Sequence, residues 1–257
     1  MKYYRKPRTK KVFKQWSGSW AQKPYPTKPS TVASGGCGLC SVTHLAIERS
    51  IKANYTPDTL YSYMKQFAVL GHGTEWIGID KGMDHIGLTE VKRVADMQTL
   101  FNEMAKGNRV AVLLFNGNKA PDGTQWTGGG HYIAAVGYKK GTKYDYLYTK
   151  DSGNRGHDGW YSYQKSMAGC LKMIWVGRIP PEAITLPERG YFQYGDSSPE
   201  IKKIQRFLKA QGLYKGRIGG NYKTLTRKAV RKFQSEHGLA IDGFFGPECL
   251  KIYNKIA

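Results

Sequence analysis

The chain has 257 residues, 40% of them hydrophobic and 13% aromatic, enough to bury one large core or a moderate core with a small appendage. No run of eighteen apolar residues suggests a membrane span, and four cysteines are too few for a disulfide-stapled scaffold. The formal net charge of +21 favours an anionic partner, whether nucleic acid, anionic lipid or a wall rich in phosphate polymers, and charge alone does not choose among them.

The opening MKYYRKPRTKKVFK holds seven basic and no acidic residues and forms a basic N-terminal segment, 1–14. No apolar stretch follows this charged start, so no secretory signal is read and the chain is expected to be made in a cytoplasm with its thiols reduced. Lys23–Gly36 is rich in Pro, Ser, Thr and Gly and reads as a loop. Helical periodicity follows over Gly38–Ser50, over Thr56–Val69 with Thr56 as cap and Pro57 at the first helical position, and over Asp96–Lys106. The period then shortens, and Arg109–Phe115, His131–Tyr138, Tyr144–Thr149 and Leu171–Gly177 are expected as strands. Helices first and a sheet afterwards predict an α+β domain over residues 1–177. Arg178–Gly190, with three prolines, reads as an extended linker. Residues 191–257 show three short amphipathic patterns, with Ile201, Ile204 and Leu208 on one stripe and Leu225, Ala229, Val230 and Phe233 on another. That predicts a small all-α three-helix domain, with 13 basic against five acidic residues.

A cysteine attacks as a thiolate, which needs a site that lowers its pKa, such as a helix N-terminus beside an imidazole. Cys37 stands just before the first predicted helix, after Gly35-Gly36. His131 opens a strand after TGGG, and Asp151 and Asn154 follow the next strand in YTKDSGN. Cysteine, then histidine, then an acidic or amide residue is the order in which a nucleophile, its base and the group that fixes the base's tautomer occur in papain-like sites. A thioredoxin-type reading of Cys37 and Cys40 fails because the preceding TKPSTVASGG is a polar loop and not a buried strand. A zinc site fails because Cys170 and Cys249 are isolated from that pair. Cys40 reads as a packing residue one turn on. His44 lies in a helical pattern, and His72, His85 and His157 lie near glycines with no evident partner. Trp16, Trp20, Trp76, Trp126 and Trp160 divide between core and a substrate groove.

KQWSGSWAQKPY, GGCGLCSVTHLA, GGGHYIAAVGY and LYTKDSGN together resemble the C39-like cysteine peptidases of the papain-like superfamily, over residues 12 to 177. The resemblance implies a papain-like fold with Cys37 as nucleophile, His131 as base and then acid, Asp151 as orienter, and Gln15 as an oxyanion donor with the backbone N–H of Cys37. Gln22 competes for the glutamine role. Where the family has a proline after Cys-Gly, this chain has Leu39. Gly36, Gly130 and Trp126 are candidate substrate contacts.

The tail resembles peptidoglycan-binding domains of the three-helix type at Gln205, Leu208, Gly212, Gly220, Thr226, Ala229, Val230, Phe233, Gln234, Gly238, Leu239, Asp242, Gly243 and Gly246. Most of these are turn and core positions; Asp242 is carried over as a candidate wall contact. The first Asp-Gly of the pattern is Gly219-Gly220 here, and Lys223 replaces the glycine after the aromatic. The two resemblances imply a peptidoglycan hydrolase of the phage endolysin type, cutting an amide bond in the stem peptide or cross-bridge and acting at the wall after release from the host cytoplasm. Peptidoglycan and anionic wall polymers are the expected partners. No cofactor or metal is expected, and no recognisable nucleic-acid motif supports that partner. An N-acetylmuramoyl-L-alanine amidase with the same triad, or a non-catalytic wall-binding protein, are the alternatives.

Overall fold

The computed structural model describes residues 1–50, 54–153 and 156–256, and Asn154 therefore lies outside the described residues. The chain divides into two units, Met1–Ile179 and Pro180–Ala257. In the first, the elements in chain order are β1 (Lys2–Arg5), α1 (Val32–Gly35), α2 (Cys37–Arg49), α3 (Pro57–Lys65), β2 (Ala68–Val69), β3 (Gly73–Thr74), α4 (Trp76–His85), β4 (Thr89–Val94), α5 (Met97–Met104), β5 (Arg109–Phe115), β6 (His131–Lys140), β7 (Asp145–Lys150), β8 (Gly159–Ser162), α6 (Tyr163–Ser166) and β9 (Leu171–Arg178). Among the described residues the main sheet has seven strands in the order β4-β9-β5-β6-β7-β8, with β1 also paired to β6. All of its pairings are antiparallel. The α+β expectation therefore holds, with β1 and β4 interrupting the expected order of helices before strands.

The continuous apolar run RVAVLLF becomes β5 because both faces of the sheet are covered, and all seven residues are buried. With a period of two, Val110, Val112 and Leu114 join Val42, Leu45 and Ala46 of α2 on one face. Ala111, Leu113 and Phe115 meet Leu100, Phe101 and Met104 of α5 on the other. Helix α2 is buried from Cys37 to Glu48, which is why its sequence is largely apolar on all sides and shows little polar face.

Helix α3 ends at Lys65 rather than continuing to Val69. Its start follows expectation, with the N–H of Thr59 donating to Thr56 Oγ1 at 3.4 Å, but Ala68 and Val69 leave the helix to pair with Thr74 and Gly73. Helix α4 has no clear sequence signature because Gly78 and Gly82 interrupt its pattern. Both serve close packing: a Cβ would lie 2.5 Å from Phe67 at the first and 2.6 Å from Met64 Sδ at the second.

The basic N-terminal segment is partly internal. Glu48 of α2 is fully buried; its Oε1 accepts from Lys150 Nζ at 2.8 Å. Its Oε2 accepts from Arg5 at 3.2 Å and from the backbone N–H of Arg8 at 2.8 Å. Arg5 also donates from Nε to the Val136 carbonyl at 3.0 Å, tying β1 to β6. Burial lowers the pKa of Arg5 to about 10 against the opposing pull of Glu48. Removing the single anion would leave two buried cations without a counter-charge. Glu48→Ala is expected to cost about 3 to 5 kcal/mol of stability, read by urea unfolding; a cost near zero would mean that water reaches the cluster.

In the second unit α7 (Pro199–Ala210), α8 (Thr224–Glu236) and α9 (Pro247–Ile256) enclose Ile201, Ile204, Leu208, Val230, Phe233 and Phe245, as the stripes predict. Two buried glutamines fasten the loops between them. Gln205 accepts from Gly219 N and Gly220 N at 3.1 and 3.0 Å, and Gln234 accepts from Gly243 N at 2.9 Å. The segment read as a linker is apportioned between the units: Arg178 ends β9, Ile179 joins the first core, and Ile184 and Leu186 pack into the second.

Candidate active site

Cys37 is the first residue of α2, where the first N–H groups of the helix find no carbonyl within it. Helix α2 packs on β6, whose first residue is His131. Strand β7 runs antiparallel to β6 with Lys150 opposite Ala134, so the chain leaves β7 beside the start of β6. There Asp151 Oδ1 lies 2.7 Å from His131 Nε2. This leaves the other ring nitrogen, Nδ1, for the thiol of Cys37, whose ionised form the ring favours. The three residues predicted from sequence order are thus brought together, spanning a helix start, a strand start and a strand end.

Asp151 is fully buried, and both its oxygens face donors. Oδ1 also accepts from Gly153 N at 2.7 Å; Oδ2 accepts from His157 N at 3.2 Å and meets His157 Nδ1 at 3.3 Å. Its own N–H donates to Asp158 Oδ1 at 2.7 Å, and its carbonyl accepts from Lys14 Nζ at 2.6 Å. Gly153 is needed for this approach, since a Cβ there would stand 2.9 Å from His131 Nε2. His157, which showed no partner in the sequence, is the residue that sequence reasoning missed. Its ring lies 4.6 Å from that of Trp126, and only the fold of the segment after β7 returns it to Asp151.

The electrostatics follow from these contacts. Burial would raise the Asp151 carboxyl, but His131 and His157 hold it far below the ordinary carboxylate range. Burial would lower His131; its bonds to Asp151 and Cys37 instead raise it to about 10. Burial would likewise raise Cys37, and the imidazole with the N–H groups of Tyr132 and Gly38 brings it below the ordinary thiol value. The arrangement can therefore hold a thiolate beside an imidazolium at neutral pH. Alkylation of Cys37 by iodoacetamide is expected to stay fast through neutral pH and to fall only on the acid side, as the thiolate gains a proton. A midpoint at or above pH 9 would contradict the ion pair. Cys40, Cys170 and Cys249 are buried, with thiols pushed up chiefly by burial, and are expected to stay unlabelled, as peptide mass mapping would show.

Two cavities meet at Cys37. One of about 490 Å³ includes Gln15, Trp16, Trp126 and His131; the other, of about 810 Å³, includes Thr74, Glu75, Trp76 and Lys172. Ser34, Cys37 and Gly130 border both. Gln15 donates from Nε2 to the Ala33 carbonyl at 2.8 Å, which leaves the second amide hydrogen for a ligand. Gln22 is exposed and does not line either cavity. Gly130 lines both. Gly36 lines neither: it caps α2, and a Cβ there would lie 2.4 Å from Val32, so Gly35 takes its place on the wall. Trp126 borders the smaller cavity, but its ring is 1% exposed, stacked 4.4 Å from Phe115, with Nε1 bonded to the Ser166 carbonyl. The exposed ring at that end is Trp16, at 53%. His44 is fully buried; burial and nearby Lys150 keep it neutral, and its Nε2 accepts from Phe13 N at 2.8 Å.

In the second unit Asp242 Oδ1 is engaged by Gln234 Nε2 at 2.7 Å and Phe244 N at 2.8 Å, which gives it a turn-forming role beside its exposure. The family model described as "Putative peptidoglycan binding domain" decides what this unit is. Residues 197–252 match it. Likenesses to individual proteins are limited in length or in identity. The N-acetylmuramoyl-L-alanine amidase CwlM of Mycobacterium tuberculosis is 38% identical over 58 residues, 23% of this chain and 14% of CwlM. Among solved structures, the SleB N-terminal domain is 30% identical over 28% of this chain and 96% of that one, with a TM-score of 0.27. A periplasmic domain of the EpsAB fusion protein of the Vibrio vulnificus type II secretion system is 10% identical over 77% of this chain and 75% of that one, with a TM-score of 0.33.

Proposed function

We propose that the first unit is a papain-like thiol hydrolase that cleaves an amide bond in the stem peptide or cross-bridge of peptidoglycan, held at its substrate by the peptidoglycan-binding domain. The observation that carries this is the alignment of Asp151, His131 and Cys37 at the start of α2. In the first half-reaction Cys37 Sγ attacks the amide carbonyl, a C–S bond forms, and His131 gives its proton to the departing amine. In the second, His131 takes a proton from water as the water oxygen attacks the thioester, the C–S bond breaks, and the acid leaves with the Cys37 thiolate and the imidazolium restored. The second hydrogen of Gln15 Nε2 and the N–H of Cys37 stabilise the oxyanion, each donor contributing on the order of 100- to 1000-fold in rate. Binding to the wall raises the local substrate concentration at the catalytic unit, and the chain's charge of +21 adds attraction to anionic wall polymers that weakens with salt.

The test is digestion of purified Gram-positive peptidoglycan before and after treatment of the protein with iodoacetamide, with mass spectrometry of what is released. Release by the untreated protein alone supports the reading, and fragment masses identify the bond. A cut between muramic acid and L-alanine would make the protein an amidase of the activity named in CwlM's description, using the same three residues. Equal release after labelling of Cys37 would remove the thiol mechanism; wall binding without release in either sample would leave a binding protein.

A further inference from the structure

The peptidoglycan-binding domain carries a cavity of about 710 Å³ between α7, the loop after it and the start of α8. Its charged lining is uniform in sign: Lys202, Arg217 and Lys223, with no Asp or Glu on its wall. Among the described residues none of these three cations forms a salt bridge or a side-chain hydrogen bond. They differ in this from Arg189, Lys203 and Arg206 of the same unit, which are paired with Asp196, Glu200 and Glu182. The cavity wall is nevertheless ordered. Lys202's alkyl stem lies across Gly220, where a Cβ would be 3.0 Å from Lys202 Cγ and Cε. Tyr214 donates to the Arg217 carbonyl at 2.8 Å and is itself 6% exposed, and buried Gln205 holds Gly219 and Gly220. At the rim stand Tyr194, 57% exposed, and Leu225, 56% exposed.

We infer that this cavity binds the peptidoglycan stem peptide by its free carboxylates. Three uncompensated cations, Lys202 on α7, Arg217 on the loop after it and Lys223 at the start of α8, supply charge-assisted hydrogen bonds to carboxylates. The exposed aromatic and aliphatic side chains of Tyr194 and Leu225 supply contact for sugar faces and the alkyl parts of the peptide. The inference rests on the wall-binding reading of this unit and not on the hydrolytic reading of the other, whose failure would appear as absence of released fragments with binding retained.

The test uses the full chain carrying Cys37→Ala, so that the wall is not digested, and co-sedimentation with Gram-positive peptidoglycan stripped of phosphate polymers. The triple variant K202Q/R217Q/K223Q is expected to bind at least tenfold more weakly. A second triple variant, K228Q/R231Q/K251Q, removes the same charge from residues outside the cavity and is expected to lose less than threefold. Amidating the wall carboxylates with carbodiimide and methylamine should weaken the parent chain as much as the cavity variant does. Equal losses in the two triple variants, or indifference to amidation, would overturn the site in favour of general charge attraction. Binding only to walls that retain phosphate polymers would overturn it in favour of a phosphate ligand. No binding to either wall would overturn the cavity and the wall-binding reading together. Circular dichroism of both variants checks that the three-helix fold is kept.

Discussion

Cys37→Ala is expected to lower release of fragments from peptidoglycan by about 10⁴-fold or more, with wall binding unchanged. Removing a nucleophile from a unit that acts together leaves only the rate that binding and oxyanion donors provide, and such losses reach about 10⁶-fold in a serine protease triad. Cys37→Ser is the sharper variant. A serine hydroxyl has far too high a pKa to exist as an anion beside His131, so the imidazole would return to its neutral form and would have to act as a base toward a proton it does not now share. A loss close to that of the alanine variant is expected, measured as initial rates of fragment release at pH 7. Retention of more than a tenth of the activity by the serine variant would argue that attack does not begin from a thiolate. Since Cys37 is almost buried, at 9% exposure, near-ultraviolet circular dichroism should accompany the rates to separate lost chemistry from disturbed packing.

What the sequence could convey depended on whether a residue's partner is near it in the chain. The ends of β5 and the start of β6 are legible because RVAVLLF and HYIAAV are long apolar runs whose burial is dictated by composition alone. The start of α2 is legible from glycines ahead of an apolar helical pattern. Strand β1 is hidden inside a basic run, and its charge speaks for an external anion, whereas Arg5 in fact meets Glu48 inside the fold. Strand β4, TEVKRV, carries mostly exposed and half-buried side chains at the edge of the sheet, so it lacks the apolar alternation that marks a strand. His157 is the clearest case at the site. Six residues after Asp151, nothing local distinguishes it from a loop histidine, and its partnership depends on the chain reversal between β7 and β8. Gln15 and Gln22 are equally good candidates by sequence, and only the path of the N-terminal segment, fixed by Gln15 N donating to the Ser152 carbonyl at 3.0 Å, places the first at the cavity.

Asp151→Asn is expected to reduce activity by up to about 10⁴-fold, the scale seen when a triad's buried carboxylate becomes an amide, and to move the alkaline limit of activity. Papain-like sites tolerate an amide as the third residue in general, but this one surrounds both oxygens with donors: His131 and Gly153 N–H on one side, His157 N–H on the other. An ionised carboxylate accepts on both sides, whereas an amide must present its NH₂ to one of them, leaving donor against donor in a buried position. The second effect is on charge. His131 is raised to about 10 in part by the Asp151 carboxylate. A group whose folded pKa lies above its unfolded value contributes stability below the unfolded value, near 6.5 for histidine, and loses it as pH rises through the folded value. Activity of the unsubstituted protein should therefore persist toward pH 10 and then fall as His131 loses the proton owed to the leaving amine. In Asp151→Asn the imidazolium has lost its buried counter-charge, and the alkaline limb should move down by more than one pH unit. On the acid side, the depressed Asp151 carboxylate contributes stability above its ordinary pKa, and this is lost as pH falls through its folded value. The variant should thus show a weaker dependence of unfolding free energy on pH below about pH 4. A pH–rate profile with an unmoved alkaline limb, despite a lower rate, would assign Asp151 to holding the ring's position alone and not to stabilising its charge.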